Sequence, residues 1–136
     1  MKIYDCTTFY AEDLMYELRL NILNESVHKF IVTEATHSHS GKPKKLNFNI
    51  NNYSKFKDKI VYLVIEKEPE GIVYDDTKIN QAIKRQNSLK RISQSYDFMH
   101  KGIESASQDD LILLIKNDEI PNLDSLEFKN SKHDLF

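Results

Sequence analysis

Two adjacent acids, Asp118 and Glu119, follow shortly after the apolar run of residues 111–115 and lie just before Pro121. A carboxylate that has just left a buried strand costs desolvation free energy unless it is paired or binds a cation. Hard cations such as Mg²⁺ and Mn²⁺ take oxygen ligands, usually one or two carboxylates together with substrate phosphates. The pattern therefore predicts a divalent-cation site, and an acidic turn that ends at the proline is the alternative.

The spacing of these acids limits how many of them can bind one ion. Neighbouring residues of an extended chain point in opposite directions, so only one of Asp118 and Glu119 would be a ligand. An Asp-x-Asp spacing would put two carboxylates on the same side, but Lys116 stands at the first of those positions. We expect Asp118 to be the metal contact, and Lys116 either to repel the ion or to place its ammonium against a phosphate.

The most basic loop of the chain, residues 37–45, has the sequence HSHSGKPKK. Gly41 and Pro43 favour a turn, and the lysines could meet a phosphate as point charges. These lysines are Lys42, Lys44 and Lys45. The loop lacks the earlier glycine and the final Ser or Thr of a P-loop, so solvated lysines remain the alternative to a ligand-binding role.

The apolar pattern predicts four strands and two helices. The strands are predicted at residues 2–6, 29–35, 59–66 and 111–115, and the helices at 11–23 and 77–104. This order is typical of an α/β fold with a mainly parallel sheet and flanking helices. In such sheets ligands bind beyond the carboxyl ends of the strands. Asp5 and Glu34 are predicted at two such ends, where a carboxylate can accept hydrogen bonds from a ribose or a base.

The spacing of apolar residues predicts which face of each helix is buried. For the first helix the predicted core residues are Leu14, Met15, Leu18 and Ile22. For the second helix they are Leu89, Ile92, Tyr96, Met99 and Ile103.

The composition bounds the class of protein. A chain of 136 residues with 40% hydrophobic and 29% charged residues is long enough for one globular domain. Its formal net charge of −2 gives no global field that would attract nucleic acid, so we expect no nucleic-acid partner. No stretch approaches the roughly 20 apolar residues of a membrane span, and no signal peptide is recognised. The single cysteine, Cys6, suits a reducing compartment, so we expect a cytoplasmic protein.

Four segments in series resemble glycosyltransferase family 17, which includes the β-1,4-mannosyl-glycoprotein β-1,4-N-acetylglucosaminyltransferases. The segments are IYDCTTFYAEDLMYELRLNIL, VHKFIVTEATHSHSGKPKKLNF, KIVYLV and DDLILLIKNDEIPN. The resemblance implies the nucleotide-sugar-binding half of a GT-A fold. It also implies inverting transfer of N-acetylglucosamine, or a similar sugar, from a nucleotide sugar to a glycan hydroxyl.

The resemblance also suggests which residues would bind the substrate. It places Asp5 and Glu34 at the nucleotide end of the sheet. Gly41, Lys42 and Lys44 fall in the family's Gly-Lys-Pro-Lys loop, which we expect to meet the diphosphate or to order the site.

The same resemblance bears on the cofactor. Asp118 and Glu119 match the last two acids of the family's Asp-x-Asp-Glu-Ile-Pro motif, and Lys116 replaces its first acid. In transferases of this fold a divalent cation, Mn²⁺ or Mg²⁺, is held by that motif and neutralises the departing nucleoside diphosphate.

The resemblance further predicts a partial domain. Residues 1–122 are expected to form the donor-binding part, and residues 123–136 a polar C-terminal tail that is truncated relative to the family. The alternative function is a catalytically inactive remnant, or a nucleotide-sugar-binding module that needs a partner chain. A sheet with an open edge and an open face would favour such a partner or self-association.

Overall fold

The computed structural model describes residues 1–125 as a four-stranded sheet with helices on both faces. The strands are β1 (Ile3–Thr8), β2 (Lys29–Ala35), β3 (Ile60–Ile65) and β4 (Leu111–Leu114). The α-helices are α1 (Asp13–Leu23) and α2 (Gln81–Asp97). Three 3₁₀ segments span Ile50–Lys59, Phe98–Gly102 and Leu123–Ser125.

The sheet is parallel throughout, in the order β3-β2-β1-β4. Cys6 in the middle of the sheet pairs with Ile31 on one side and with Leu114 on the other. The predicted α/β class and parallel sheet are therefore confirmed. Each predicted strand is also found within two residues of its expected bounds, because near-continuous apolar runs are what a sheet covered on both faces requires.

Two apolar cores lie on opposite faces of the sheet, since successive side chains of a strand alternate between faces. The core on the α1 side contains an aromatic cluster in which Tyr16 lies within 5.9 Å of three other rings, measured between centroids. These rings belong to Phe9, Phe48 and Tyr53. The second core contains Tyr4, Cys6, Ile31 and Met99.

The predicted buried face of α1 is wrong. Leu14, Leu18 and Ile22 are 81%, 48% and 55% exposed. The buried residues of this helix are Tyr16, Arg19, Leu20 and Leu23. Both sets have helical spacing, and the helix takes the second rotation because Tyr16 enters the aromatic cluster and Arg19 pairs with a buried acid of β1.

The second helix also departs from its prediction. α2 ends at Asp97 and continues as the 3₁₀ segment Phe98–Gly102, so the predicted helix 77–104 was too long at its start and changed type at its end. Met99 is buried as predicted, but Leu89 is exposed. The residues of α2 that are buried are polar, namely Asn87, Arg91 and Ser95.

Most of the predicted polar tail, from residue 126 onward, lies outside the described residues. Its first residues form the 3₁₀ segment Leu123–Ser125, in which Leu123 packs into the core on the α1 side. None of the helices between residues 1 and 125 has the length and apolar character needed to cross a membrane.

Candidate functional site

Two adjoining cavities with volumes of about 370 and 480 Å³ lie at the carboxyl ends of β1 and β2 and at the turn that follows β4. The cavities share four lining residues, Thr8, Glu12, His39 and Ser95. We call the two together the carboxyl-edge groove. Cavities of a few hundred Å³ at this edge of a parallel sheet are the usual position and size of a small-ligand site.

One end of the groove is lined by the turn that follows β4, through Lys116, Asn117 and Asp118. Asp118 is exposed, and no ion pair to its carboxylate is found among the described residues. Glu119 is also exposed, and its carboxylate lies 3.9 Å from the ammonium of Lys116. Asn117 is only 6% exposed, and neither polar atom of its side-chain amide has a hydrogen-bond partner within residues 1–125.

Arg19 of α1 holds this turn in place through hydrogen bonds. Its Nη1 donates to the carbonyl oxygens of Lys116, Asn117 and Glu119 at 3.0, 3.3 and 2.8 Å. Its Nε and Nη2 donate to the two carboxylate oxygens of Asp5 at 2.7 and 2.6 Å. The sequence predicts Asp5 at the carboxyl end of its strand, but it lies within β1, three residues before that strand ends at Thr8. Its buried carboxylate pairs with Arg19 and is not among the groups lining the groove.

Arg91 of α2 lines the other end of the groove and is 5% exposed. Its Nε donates to a carboxylate oxygen of Glu68 at 2.7 Å, and its Nη1 donates to the carbonyl oxygen of His39 at 3.0 Å. Nη2 donates to no acceptor among the described residues, and it lies against the open side of Gly41. A guanidinium held by two contacts keeps its remaining donors in a fixed direction.

The loop with Gly41 and Lys42 is folded back on itself. Ser38 donates its backbone N–H to the carbonyl oxygen of Lys42 at 2.8 Å, and Gly41 has a φ of +85°, which favours glycine. The side chain of Lys42 is exposed and lines neither cavity. The predicted turn is therefore found, and contact of Lys42 with a phosphate stays a prediction.

Glu34 and Lys44, which were predicted to bind substrate, are bonded to each other at 2.7 Å. Glu34 is 1% exposed and also accepts hydrogen bonds from the backbone N–H groups of Asn47 and Phe48 and from the hydroxyl of Tyr62. These contacts anchor the segment that follows the basic loop. Lys44 lines the groove, whereas Glu34 lies behind it and does not line either cavity.

Two titratable groups shared by both cavities are Glu12 and His39. One carboxylate oxygen of Glu12 accepts the backbone N–H groups of Tyr10 and Ala11 at 2.8 and 3.0 Å. Desolvation, followed by the nearby charges of His37 and Arg91, lowers the pKa of the His39 imidazole. The neutral imidazole, which can accept a proton, is therefore favoured at neutral pH.

The side chains around the groove that could bind a metal ion are poorly arranged to hold one without a bound ligand. Within the described part of the chain no three His, Cys, Asp or Glu side chains come together in a way that could hold an ion. Asp5 and Glu34 are committed to Arg19 and Lys44, and the position two residues before Asp118 is a lysine. These residues do not fit a resident divalent cation.

Comparison with known protein families settles the class of the protein. The family model of glycosyltransferase family 17 matches residues 1–135. The chain belongs to glycosyltransferase family 17. No curated protein and no solved structure matches it. The resemblance drawn from the sequence is thereby confirmed, and membership of glycosyltransferase family 17 supports a transferase with a donor and an acceptor substrate.

Three residues that sequence reasoning missed now stand out in this member of glycosyltransferase family 17. Arg19, Arg91 and Asn117 are not among the candidate site residues predicted from the sequence. The only signal for Arg91 was its spacing of four from Asn87 and Ser95, which together form a polar stripe on α2. Such a stripe is ordinarily the solvated face of a helix.

Proposed function

We propose that the chain binds a nucleotide sugar in the carboxyl-edge groove, with UDP-N-acetylglucosamine as the donor, and transfers the sugar with inversion to a glycan hydroxyl. Family membership supports the transferase class. The sheet would be the donor-binding half of a GT-A fold, which is consistent with its all-parallel order and with a groove at its carboxyl edge.

The observation that carries this proposal is the environment of Arg91. Only Nε and Nη1 of this guanidinium have partners among the described residues, so Nη2, which is open to the groove, keeps its donors for a ligand. Nη2 lies at the groove beside Gly41. Guanidinium groups suit phosphate oxygens in both geometry and charge, so a donor diphosphate at this end of the groove would complete its hydrogen bonding.

The reaction would be a direct displacement at the anomeric carbon. The bond from that carbon to the diphosphate oxygen breaks, a bond to the acceptor oxygen forms, and the hydroxyl proton passes to a base. Glu12 and His39 line both cavities and are the proposed candidates for that base. Arg91 would stabilise the negative charge that grows on the leaving diphosphate.

Calorimetric titration of the purified chain with UDP and with UDP-N-acetylglucosamine, each with Mn²⁺ and with EDTA, tests donor binding. We expect Arg91→Met to weaken the affinity for UDP about tenfold or more, as for the loss of one charge-assisted hydrogen bond. Arg85→Met is the matched control, since Arg85 is exposed on the same helix and lines neither cavity. Absence of UDP binding under both conditions would refute the proposal.

The alternative is a nucleotide-sugar-binding module that is completed by a partner chain or by a second copy. It is supported by the exposed apolar row on α1, formed by Leu14, Leu18 and Ile22, and by Leu114 on the edge strand β4. Light scattering combined with a donor hydrolysis assay separates the two. A monomer that hydrolyses or transfers the sugar supports the enzyme. A chain that binds UDP, turns over nothing and associates supports the module.

A further inference from the structure

We infer that the groove neutralises the diphosphate of its nucleotide ligand with two side-chain cations, Lys116 and Arg91, and does not require a divalent metal ion for binding. This inference rests on the proposed nucleotide binding and adds how the charge of the ligand is balanced. It starts from Lys116, the groove-lining lysine two residues before Asp118.

The acids around the groove are poorly placed to hold a cation. Asp5 is fully engaged by Arg19, and Glu34 accepts four hydrogen bonds from other groups. One oxygen of Glu12 is engaged by two backbone N–H groups. On the turn after β4, Asp118 is the one exposed carboxylate that lines the groove, two residues from an ammonium, whereas Glu119 lines neither cavity. A single carboxylate beside a lysine is a weak site for a divalent cation, which takes several oxygen ligands.

Lys116 is well placed to take the role of the ion. It lines the groove, and its side chain is 70% exposed. Its only ion pair in the described chain is the 3.9 Å contact with Glu119, which is also exposed. An exposed pair of this kind contributes little free energy, so the ammonium can exchange it for a phosphate at small cost. Its backbone is held by Arg19, so the lysine extends from a fixed point.

Arg91 supplies the second cation, at the other end of the groove, with its charge partly balanced by the ion pair of its Nε with Glu68. Its two bonded nitrogens fix the guanidinium, and Nη2 retains its donor capacity. Lys44 also lines this end, but its ammonium is occupied by Glu34 and by the carbonyl oxygen of Lys45. The available cations are therefore one flexible ammonium and one rigid guanidinium, on either side of the four residues that the cavities share.

Such a pair can perform the electrostatic part of the reaction. Charge grows on the diphosphate as the bond to the sugar breaks, and positioned cations stabilise that charge. An ammonium and a guanidinium provide both charge and hydrogen-bond donors to phosphate oxygens.

The test is a titration with UDP, in EDTA and in Mn²⁺, of the wild-type chain, Lys116→Asp and Lys57→Asp. For the wild type we expect the two dissociation constants to agree within about twofold. Lys116→Asp should bind UDP about tenfold or more weakly in EDTA, and Mn²⁺ should restore most of that loss, because an acid then stands two residues before Asp118. Lys57→Asp makes the same change of net charge at an exposed residue that lines neither cavity, and should behave like the wild type.

The outcomes are distinct. A wild-type chain that binds UDP only with Mn²⁺ overturns this inference and leaves the proposed function intact. Unchanged binding of Lys116→Asp in EDTA overturns the role of Lys116. A wild-type chain that binds no UDP in either condition overturns both proposals. Far-ultraviolet circular dichroism of each variant confirms that it is folded before it is titrated.

Discussion

Arg19 and Asp5 form a buried two-point ion pair, with nitrogen–oxygen distances of 2.7 and 2.6 Å and both side chains fully shielded from solvent. The same guanidinium donates hydrogen bonds to three carbonyl oxygens of the turn that contains Asp118. The acid predicted to touch the nucleotide thus organises the residues that line the groove.

Replacing Asp5 should be among the most damaging single changes. Asp5→Ala leaves the Arg19 guanidinium buried without its counter-charge, and we expect a loss of about 3–5 kcal/mol in the free energy of unfolding. Urea denaturation measures it. Combining Asp5→Ala with Arg19→Met removes both charges, so the double variant should be more stable than Asp5→Ala alone. A double variant that is less stable than the single one would contradict this account.

The phenol of Tyr62 should contribute to stability through Glu34. Burial, followed by the hydrogen bond to Glu34, raises the pKa of this phenol. Tyr62→Phe removes one donor to a buried carboxylate, and we expect a loss of about 1.5–3 kcal/mol in the free energy of unfolding. Tyr74→Phe, at a residue that is 66% exposed, serves as the control and should leave the urea midpoint unchanged. Equal midpoints for the two variants would show that the bond to Glu34 contributes nothing.

Gly41 and Gly71 allow a paired experiment on the groove. Both have positive φ, +85° and +76°, so alanine at either should cost about 1–2 kcal/mol in backbone strain. At Gly41 the new Cβ would also overlap the guanidinium of Arg91, whereas at Gly71 it meets only the flexible end of Lys90, at 3.0 Å. We therefore expect Gly41→Ala to weaken UDP binding and Gly71→Ala to leave the affinity unchanged, as measured by calorimetry. If Gly41→Ala and Gly71→Ala change the affinity for UDP to a similar extent, Arg91 does not contact the ligand.

Asp110 should make part of the stability depend on pH. Hydrogen bonds from the backbone N–H groups of Ser107 and Lys2 lower the pKa of its carboxyl below the ordinary 3.8. Since the folded state favours the ionised form, the contribution is complete above the unfolded value and is lost as the pH falls through the folded value. Asp110→Ala should lower the urea midpoint at pH 7, and the difference from wild type should shrink below about pH 3.8.

The control for this experiment is Asp109→Ala. Asp109 is exposed, and its carboxylate forms no hydrogen bond or ion pair with another described residue. Its replacement should leave the midpoint unchanged across the same range of pH. A difference between Asp110→Ala and wild type that is constant with pH would mean that the carboxylate charge plays no part.

The strands could be predicted from the sequence because their signal is local. Residues 29–35 were predicted as a strand, and β2 has those bounds. The rotation of α1 could not be predicted in this way. Its two candidate faces both have helical spacing, and the choice depends on Asp5 and on aromatic residues distant in sequence. Counting apolar residues also assigns Arg19 to the surface, whereas here it is fully buried.

The candidate site was predicted in part. The position of Asp118 at the carboxyl edge followed from its place after an apolar run, and the structure has it lining the groove. Arg91 could not be found, because its approach to Gly41 joins residues 50 positions apart through packing that no local pattern encodes. Glu34 shows a different limit, since an acid at a strand end has the same pattern whether it binds a ligand or anchors a neighbouring loop.

The hydrogen bonds of Arg19 also have a consequence for the order of folding. They join Arg19 to Asp5, 14 positions away, and to Glu119, 100 positions away. The turn that lines one end of the groove is therefore held by residues from both ends of the described sequence. During synthesis, β1, α1 and β2 can come together early, but the groove is completed only when β4 has joined the edge of β1. Detachment of this four-residue edge strand would remove the wall of the groove formed by Lys116, Asn117 and Asp118 and leave the other three strands paired. Ligand binding should therefore protect the amides of β4 from hydrogen exchange more than those of β2.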